Sequence, residues 1–94
     1  MARVRMEIRE PAVAGAFYPA DPEALTGMVD RLLAEAPRYD PESAALIVPH
    51  AGYIYSGHVA AWGFKQLAGR SYDAVVVLGT NHVEPFFREI SVWA

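Results

Sequence analysis

Cysteine is absent from this 94-residue sequence, which excludes disulfides, thiolate metal sites, iron–sulfur ligation and a cysteine nucleophile within these residues. Any metal held here must use imidazole or oxygen. Long apolar runs are absent too. No stretch approaches the roughly 18–20 residues that cross a bilayer, and the N-terminal MARVRMEIREP has positive charge but lacks the apolar segment of a signal peptide. A soluble, cytoplasmic protein without a membrane partner is expected. Basic residues are scarce: eight Lys and Arg stand against eleven Asp and Glu, for a formal charge of −3, and only Arg3, Arg5 and Arg9 sit near one another. Nucleic-acid binding through a basic face is therefore disfavoured. The glycine patterns of phosphate-binding and dinucleotide-binding loops are missing, and Ser56 lacks the G-x-S-x-G setting of a hydrolase nucleophile.

What is present is globular usage, with 53% hydrophobic and 20% charged residues, seven Gly and seven Pro, so a packed core is expected. With domains running to about 150 residues, the chain is one domain or a piece of one. No repeat, linker tract or charge block divides it. Residues 9–18 (REPAVAGAFY) lack a sustained period and suit an extended segment lying on other structure, anchored by Phe17 and Tyr18.

Asp21, Pro22 and Glu23 start a helix: Asp accepts from an orphan N–H, Pro fits the first turn, and Glu meets the positive end of the dipole. Leu25, Met28, Val29, Leu32 and Ala36 then recur at three- and four-residue steps, giving one buried stripe that Pro37 ends. Residues 44–48 (AALIV) form a short branched apolar run, and residues 75–78 read the same way, as strands covered on both faces. Between them, residues 56–68 have helical spacing, through Val59, Gly63 and Leu67 on one side and Ala60 and Phe64 beside it, with Ser56 as a plausible N-cap and Gly69 as terminator. Strand, helix and strand make a βαβ unit of a parallel sheet with a right-handed crossover. Residues 90–93 look like the opening of a third strand that breaks off at Ala94. The chain thus reads as the N-terminal part of a larger α/β domain.

Ligands in open α/β sheets sit beyond the carboxyl ends of the strands, and this sequence puts a histidine at each such end. The first run leads into Pro49–His50–Ala51–Gly52–Tyr53, the second into Gly79–Thr80–Asn81–His82. Neighbouring parallel strands lie about 4.8 Å apart, so two imidazoles leaning inward are able to share one ion at roughly 2.1 Å from each nitrogen. A histidine in a loop is equally an ordinary surface residue, and pairing at one sheet edge is what favours ligation. His58, in the first turn of the second helix, reads as a supporting or surface residue. Phe17, Tyr18, Tyr53 and Tyr55 are candidates to wall a pocket, although Phe17 and Tyr18 serve as well as packing aromatics. Thr80 and Asn81 suit orienting His82 or a bound water, and equally suit a turn. Glu84 and Glu89 are the nearest carboxylates, and neither is well placed to complete a metal site.

In order along the chain, Arg9–Glu10–Pro11 with Ala14–Gly15–Ala16–Phe17–Tyr18–Pro19, Pro49–His50–Ala51–Gly52–Tyr53 with Tyr55–Ser56–Gly57, and Leu78–Gly79–Thr80–Asn81–His82 resemble the opening third of the Memo family, whose bacterial and archaeal members are called AmmeMemoRadiSam system protein B. The resemblance covers nearly the whole chain. It implies an α/β fold similar to class III extradiol ring-cleaving dioxygenases, in which paired histidines and a further residue hold a non-haem metal. His50 and His82 match two of those histidines. The remaining site residues of the family lie downstream of this chain, which makes it an N-terminal fragment of a single Memo-like domain.

Two function classes follow from the resemblance. One is a non-haem, metal-dependent redox enzyme of extradiol-dioxygenase type, with iron or copper favoured and zinc compatible, acting on a small molecule. The other is a non-catalytic module for phosphorylated or anionic peptides, with the N-terminus of the second helix as its anion site. Whether the chain is an enzyme stays open between them, and no catalytic residue is assigned. Two imidazoles fall short of the three protein ligands typical of catalytic sites, so the chain by itself is expected to bind metal weakly or not at all; the unfinished strand at 90–93 would leave an unpaired apolar edge, so the chain is also expected to be prone to aggregation.

Overall fold

The computed structural model describes residues 8–39 and 42–82. They fall into two units: Glu10–Arg70 form one, and the other described residues, among them 71–82, belong to the second. The first holds two helices, α1 (Pro22–Glu35) and α2 (Tyr53–Lys65), packed against each other.

Helix α1 begins as its sequence requires. The Asp21 carboxylate accepts from the Ala24 N–H at 2.8 Å, with Pro22 in the first position and Glu23 in the first turn. It ends at Ala36, whose backbone is extended ahead of Pro37. Leu25, Met28, Val29 and Leu32 are half-buried and Ala36 is buried, so the expected stripe does face inward.

Helix α2 starts three residues earlier than its spacing suggests. Gly52 is the N-cap and makes no side-chain cap bond, while Ser56 lies inside the first turn and donates its hydroxyl to the Ala51 carbonyl at 3.2 Å. His58 consequently sits in the second turn. The final turn tightens through bonds from Gln66, Leu67 and Ala68 to the carbonyls of Gly63, Phe64 and Lys65, and Gly69 reverses the chain at φ +75°.

The buried side of α2 is not the one its large residues mark. Val59 and Phe64 are exposed, whereas Ala61 and Gln66 are buried. Small residues allow close approach, and that decides which face turns inward. A Cβ built on Gly57 would lie 3.1 Å from Leu32 Cδ1 of α1, and one on Gly63 would lie 2.5 Å from Val48 Cγ1 and 3.9 Å from Leu46 Cδ1.

Residues 44–48 and 75–78 carry no strand here. Strands exist through their ladder partners, and among the described residues the bridge between Ala14 and Tyr18 stands outside any strand. Residues 44–48 nevertheless alternate as a one-sided strand would, with Leu46 and Val48 half-buried and Ile47 fully exposed. The pattern comes from lying on the Gly63 face of α2. Residues 75–78 are exposed throughout, and the run expected at 90–93 lies outside the described residues.

The end of α2 is locked by a buried amide. Gln66 is 1% exposed; its Nε2 donates to the carbonyls of Pro37 and Trp62, and its Oε1 accepts from the Tyr39 N–H, each at 2.8 Å. Arg38 donates to the Ala68 carbonyl at 2.7 Å and Arg70 to the Ser43 carbonyl at 3.0 Å. These bonds tie the segments that follow α1 and α2 to one another.

Candidate metal-binding site

The best-defined candidate region is the entry to α2. A backbone turn over residues 13–18 faces it. The N–H groups of Ala16 and Phe17 both donate to the Val13 carbonyl, at 3.1 and 3.0 Å, and the Gly15 N–H donates to the Tyr18 carbonyl at 2.7 Å. Gly15 sits at φ +83°, a left-handed conformation that a residue with a side chain adopts only under strain. The Phe17 carbonyl accepts from the Tyr53 N–H at 2.8 Å, and the rings of Tyr18 and Tyr53 lie tilted with centroids 5.5 Å apart. The segment expected to be extended is instead folded into a turn over residues 13–18, because Gly15 takes a left-handed φ; it does rest on the start of α2, through the Phe17 carbonyl and the Tyr18 ring, while the Phe17 ring expected as an anchor is 47% exposed.

His50 is exposed on the turn that enters α2. Two residues on, Gly52 is buried, and a Cβ built there would lie 3.5 Å from both the Phe17 oxygen and Tyr55 Cδ2. Phe17, Tyr53 and Tyr55 thus converge around Gly52. Tyr53 is half-buried, Phe17 is 47% exposed and Tyr55 more so, which leaves aromatic surface exposed at the start of α2.

Donors at the start of α2 are largely committed. The Tyr53 N–H is taken by Phe17, and the N–H groups of Tyr55 and Ser56 both go to the Gly52 carbonyl, at 2.9 and 3.1 Å. An anion at this terminus would compete with those bonds.

His82 and Asn81 are exposed and belong to the second unit. Each unit holds one of the two candidate ligand histidines. Among the described residues, no cluster of three or more His, Asp or Glu has the arrangement to hold a metal ion; Glu84 and Glu89 lie outside them. No helix among the described residues is long and apolar enough to cross a membrane.

Sequence reasoning gave no part to Gln66, to the Phe17 carbonyl or to the positive φ of Gly15. The last had a visible signal, a glycine between small residues in an otherwise extended segment. The carbonyl had none, because any residue supplies one.

Comparison with known proteins gives a consistent result. The sequence matches the family described as Memo-like protein over residues 9–94. It is 47% identical to a MEMO1 family protein of Aquifex aeolicus, over 82% of this chain and 28% of that protein. Identity to a MEMO1 family protein of Pyrobaculum arsenaticum is 43%, over 82% of this chain and 31% of that protein. A MEMO1 family protein of Thermotoga petrophila is 40% identical, over 90% of this chain and 35% of its own length. The chain therefore spans about a third of the length of these curated relatives. No solved structure matches it.

Proposed function

The chain belongs to the Memo-like protein family, and from that premise we propose that it supplies two imidazole ligands, His50 and His82, to the metal site of a non-haem redox protein. Both histidines lie within the stretch the family shares, residues 9–94. The observation that carries the reading is the placement of His50: it is exposed on a turn whose following residues are anchored by Ser56, Phe17 and the Tyr18–Tyr53 ring contact. Ligands need this kind of support, because a loose scaffold does not hold imidazoles in register.

The donor set fits in kind and is incomplete in number. Neutral imidazoles suit iron, copper and zinc alike, but catalytic sites typically have three protein ligands and leave a position open. The third belongs to the further length of the family protein. The proposed scaffold is an α/β domain similar to extradiol dioxygenases, in which residues 44–48 and 75–78 become neighbouring parallel strands and bring the two histidines to one edge. A metal there would supply Lewis-acid or redox chemistry at its open positions. Residues of this chain would wall the approach, with Phe17, Tyr53, Tyr55 and Asn81 around a small substrate.

Calorimetric titration with Zn, Cu and Fe(II) under exclusion of air tests the reading, on a protein of family length that contains this stretch. Micromolar or tighter binding is expected, falling at least about tenfold for His50→Ala and for His82→Ala. Unchanged affinity in both variants overturns it. Binding of a phosphotyrosine peptide without metal, insensitive to either substitution, would return the peptide-module reading.

A further inference from the structure

Helix α2 has no side-chain cap, yet its first N–H is satisfied by the Phe17 carbonyl, 36 positions earlier in sequence by the numbering of the two residues. An N-cap side chain serves the N–H groups of the second and third helical residues, so the first N–H must find its partner elsewhere. Here a distant backbone turn provides it, and the turn is shaped by a single residue. Gly15 at φ +83° lets its N–H reach the Tyr18 carbonyl while Ala16 and Phe17 share the Val13 carbonyl. That closure leaves the Phe17 carbonyl facing Tyr53. The approach is backbone on backbone: a Cβ on Gly52 would lie 3.7 Å from Phe17 Cα as well as 3.5 Å from its oxygen.

We propose that Gly15 is a positioning residue for His50. The turn it closes fixes the Tyr53 N–H and packs against Gly52, so it sets the direction in which the chain enters α2, and with it the placement of the imidazole two residues before Gly52. The Tyr18–Tyr53 ring contact adds a second point of attachment on the same side. The Ser56 hydroxyl on the Ala51 carbonyl closes the turn from the helix side. The residues that follow His50 are thereby fixed both from the 13–18 turn and from within the helix. The significance for metal binding rests on the proposed ligand role of His50; the positioning itself does not.

The test uses the whole 94-residue chain, with amide hydrogen exchange at Tyr53 and the imidazole resonances of His50 read by NMR. Gly69 provides the control, because it too has positive φ, +75°, has open space around it and lies at the opposite end of α2. Gly15→Ala and Gly69→Ala introduce the same kind of backbone strain. Gly15→Ala is expected to speed Tyr53 exchange about tenfold relative to Gly69→Ala, since a strained turn opens locally, and to shift the His50 resonances. Gly15→Asn, which tolerates the left-handed region, is expected to restore both. Equal responses at Gly15 and Gly69 overturn the positioning role, whatever metal titrations show. A specific response at Gly15, combined with metal affinity insensitive to His50→Ala, keeps the positioning role and removes the ligand reading.

Discussion

Residues 44–52 and 75–82 share a sequence plan, a branched apolar run leading into a turn that carries a histidine, but they are held very differently. In the first, Leu46 and Val48 lie on α2 where Gly63 leaves room, and the turn beyond is tied by Ser56 and by the Phe17 carbonyl. In the second, Val75, Val76, Val77 and Leu78 are all exposed, Val77 by 87%, and residues 71–82 carry no helix or strand. The contrast teaches that an apolar run is placed by the surface that receives it. Side chains of 44–48 have a groove made by a missing Cβ, and the run takes on strand-like alternation without any ladder.

The strongest way to break the anchored side is at its far end. Gln66 joins Pro37 and Tyr39 to α2 from a nearly waterless position, and its removal leaves a backbone donor and acceptors there without that partner. Gln66→Ala should cost about 3 kcal/mol, from buried polar groups losing their bonds at roughly 1–3 kcal/mol each. Urea unfolding followed by circular dichroism checks it, with a lower midpoint at an unchanged slope. A loss under about 1 kcal/mol would show that water replaces the amide and that the lock is weaker than its geometry suggests.

Next in size is the groove itself. Gly63→Ala places a methyl 2.5 Å from Val48 Cγ1, and valine has little rotamer freedom with which to withdraw. Overpacking of about 1–3 kcal/mol exceeds the gain of about 1 kcal/mol that Ala brings to a helix interior, so the variant should be destabilised. Gly27→Ala sharpens the point: nothing lies within 4 Å of its built Cβ on α1, and the same propensity term should stabilise by about 0.5–1 kcal/mol. Opposite signs for the two substitutions in thermal unfolding are the expected result. Matching signs would mean that Val48 does not occupy the groove in solution.

How much of this was legible depends on the range of the interaction. Helix α1 could be read because its cap, Asp21 with Pro22, lies within one turn of the sequence, and its stripe follows helical period. The start of α2 could not, since its N-cap Gly52 makes no side-chain bond, its first N–H goes to the distant Phe17 carbonyl, and the local Ser56 offered a false cap. The buried face of α2 has no clear signal in the sequence for a related reason: Val59 and Phe64 carry the hydrophobicity, but Gly57 and Gly63 carry the close approach. Gln66 looks like a polar residue near a helix end until the Pro37–Tyr39 backbone closes over it. Of the candidate site, the P-H-A-G-Y stretch marks where the chain turns into α2, because its proline and glycine lie next to the helix start. The proposed juxtaposition of His50 with His82 would depend on strand pairing, which is non-local and has no short-range signature.

The smallest expected effect bears most directly on the contrast between the two stretches. Val48→Thr puts a hydroxyl on the half-buried side chain beneath Gly63 and should cost about 1 kcal/mol, the lower end for burying a poorly partnered polar group. Val77→Thr makes the same change at an 87% exposed position and should stay within about 0.5 kcal/mol, the usual range for surface substitutions. Both are isosteric and both keep β-branching, so the difference isolates burial. Paired unfolding curves on the 94-residue chain decide it. A cost at Val77 equal to that at Val48 would show that residues 75–78 are covered in solution, and the contrast would collapse. In a protein of family length, the proposed parallel sheet makes the opposite demand. There the cost of Val77→Thr should rise toward that of Val48→Thr, because a central strand buries both faces, and a cost that stayed near zero would remove residues 75–78 from the sheet and His82 from its edge.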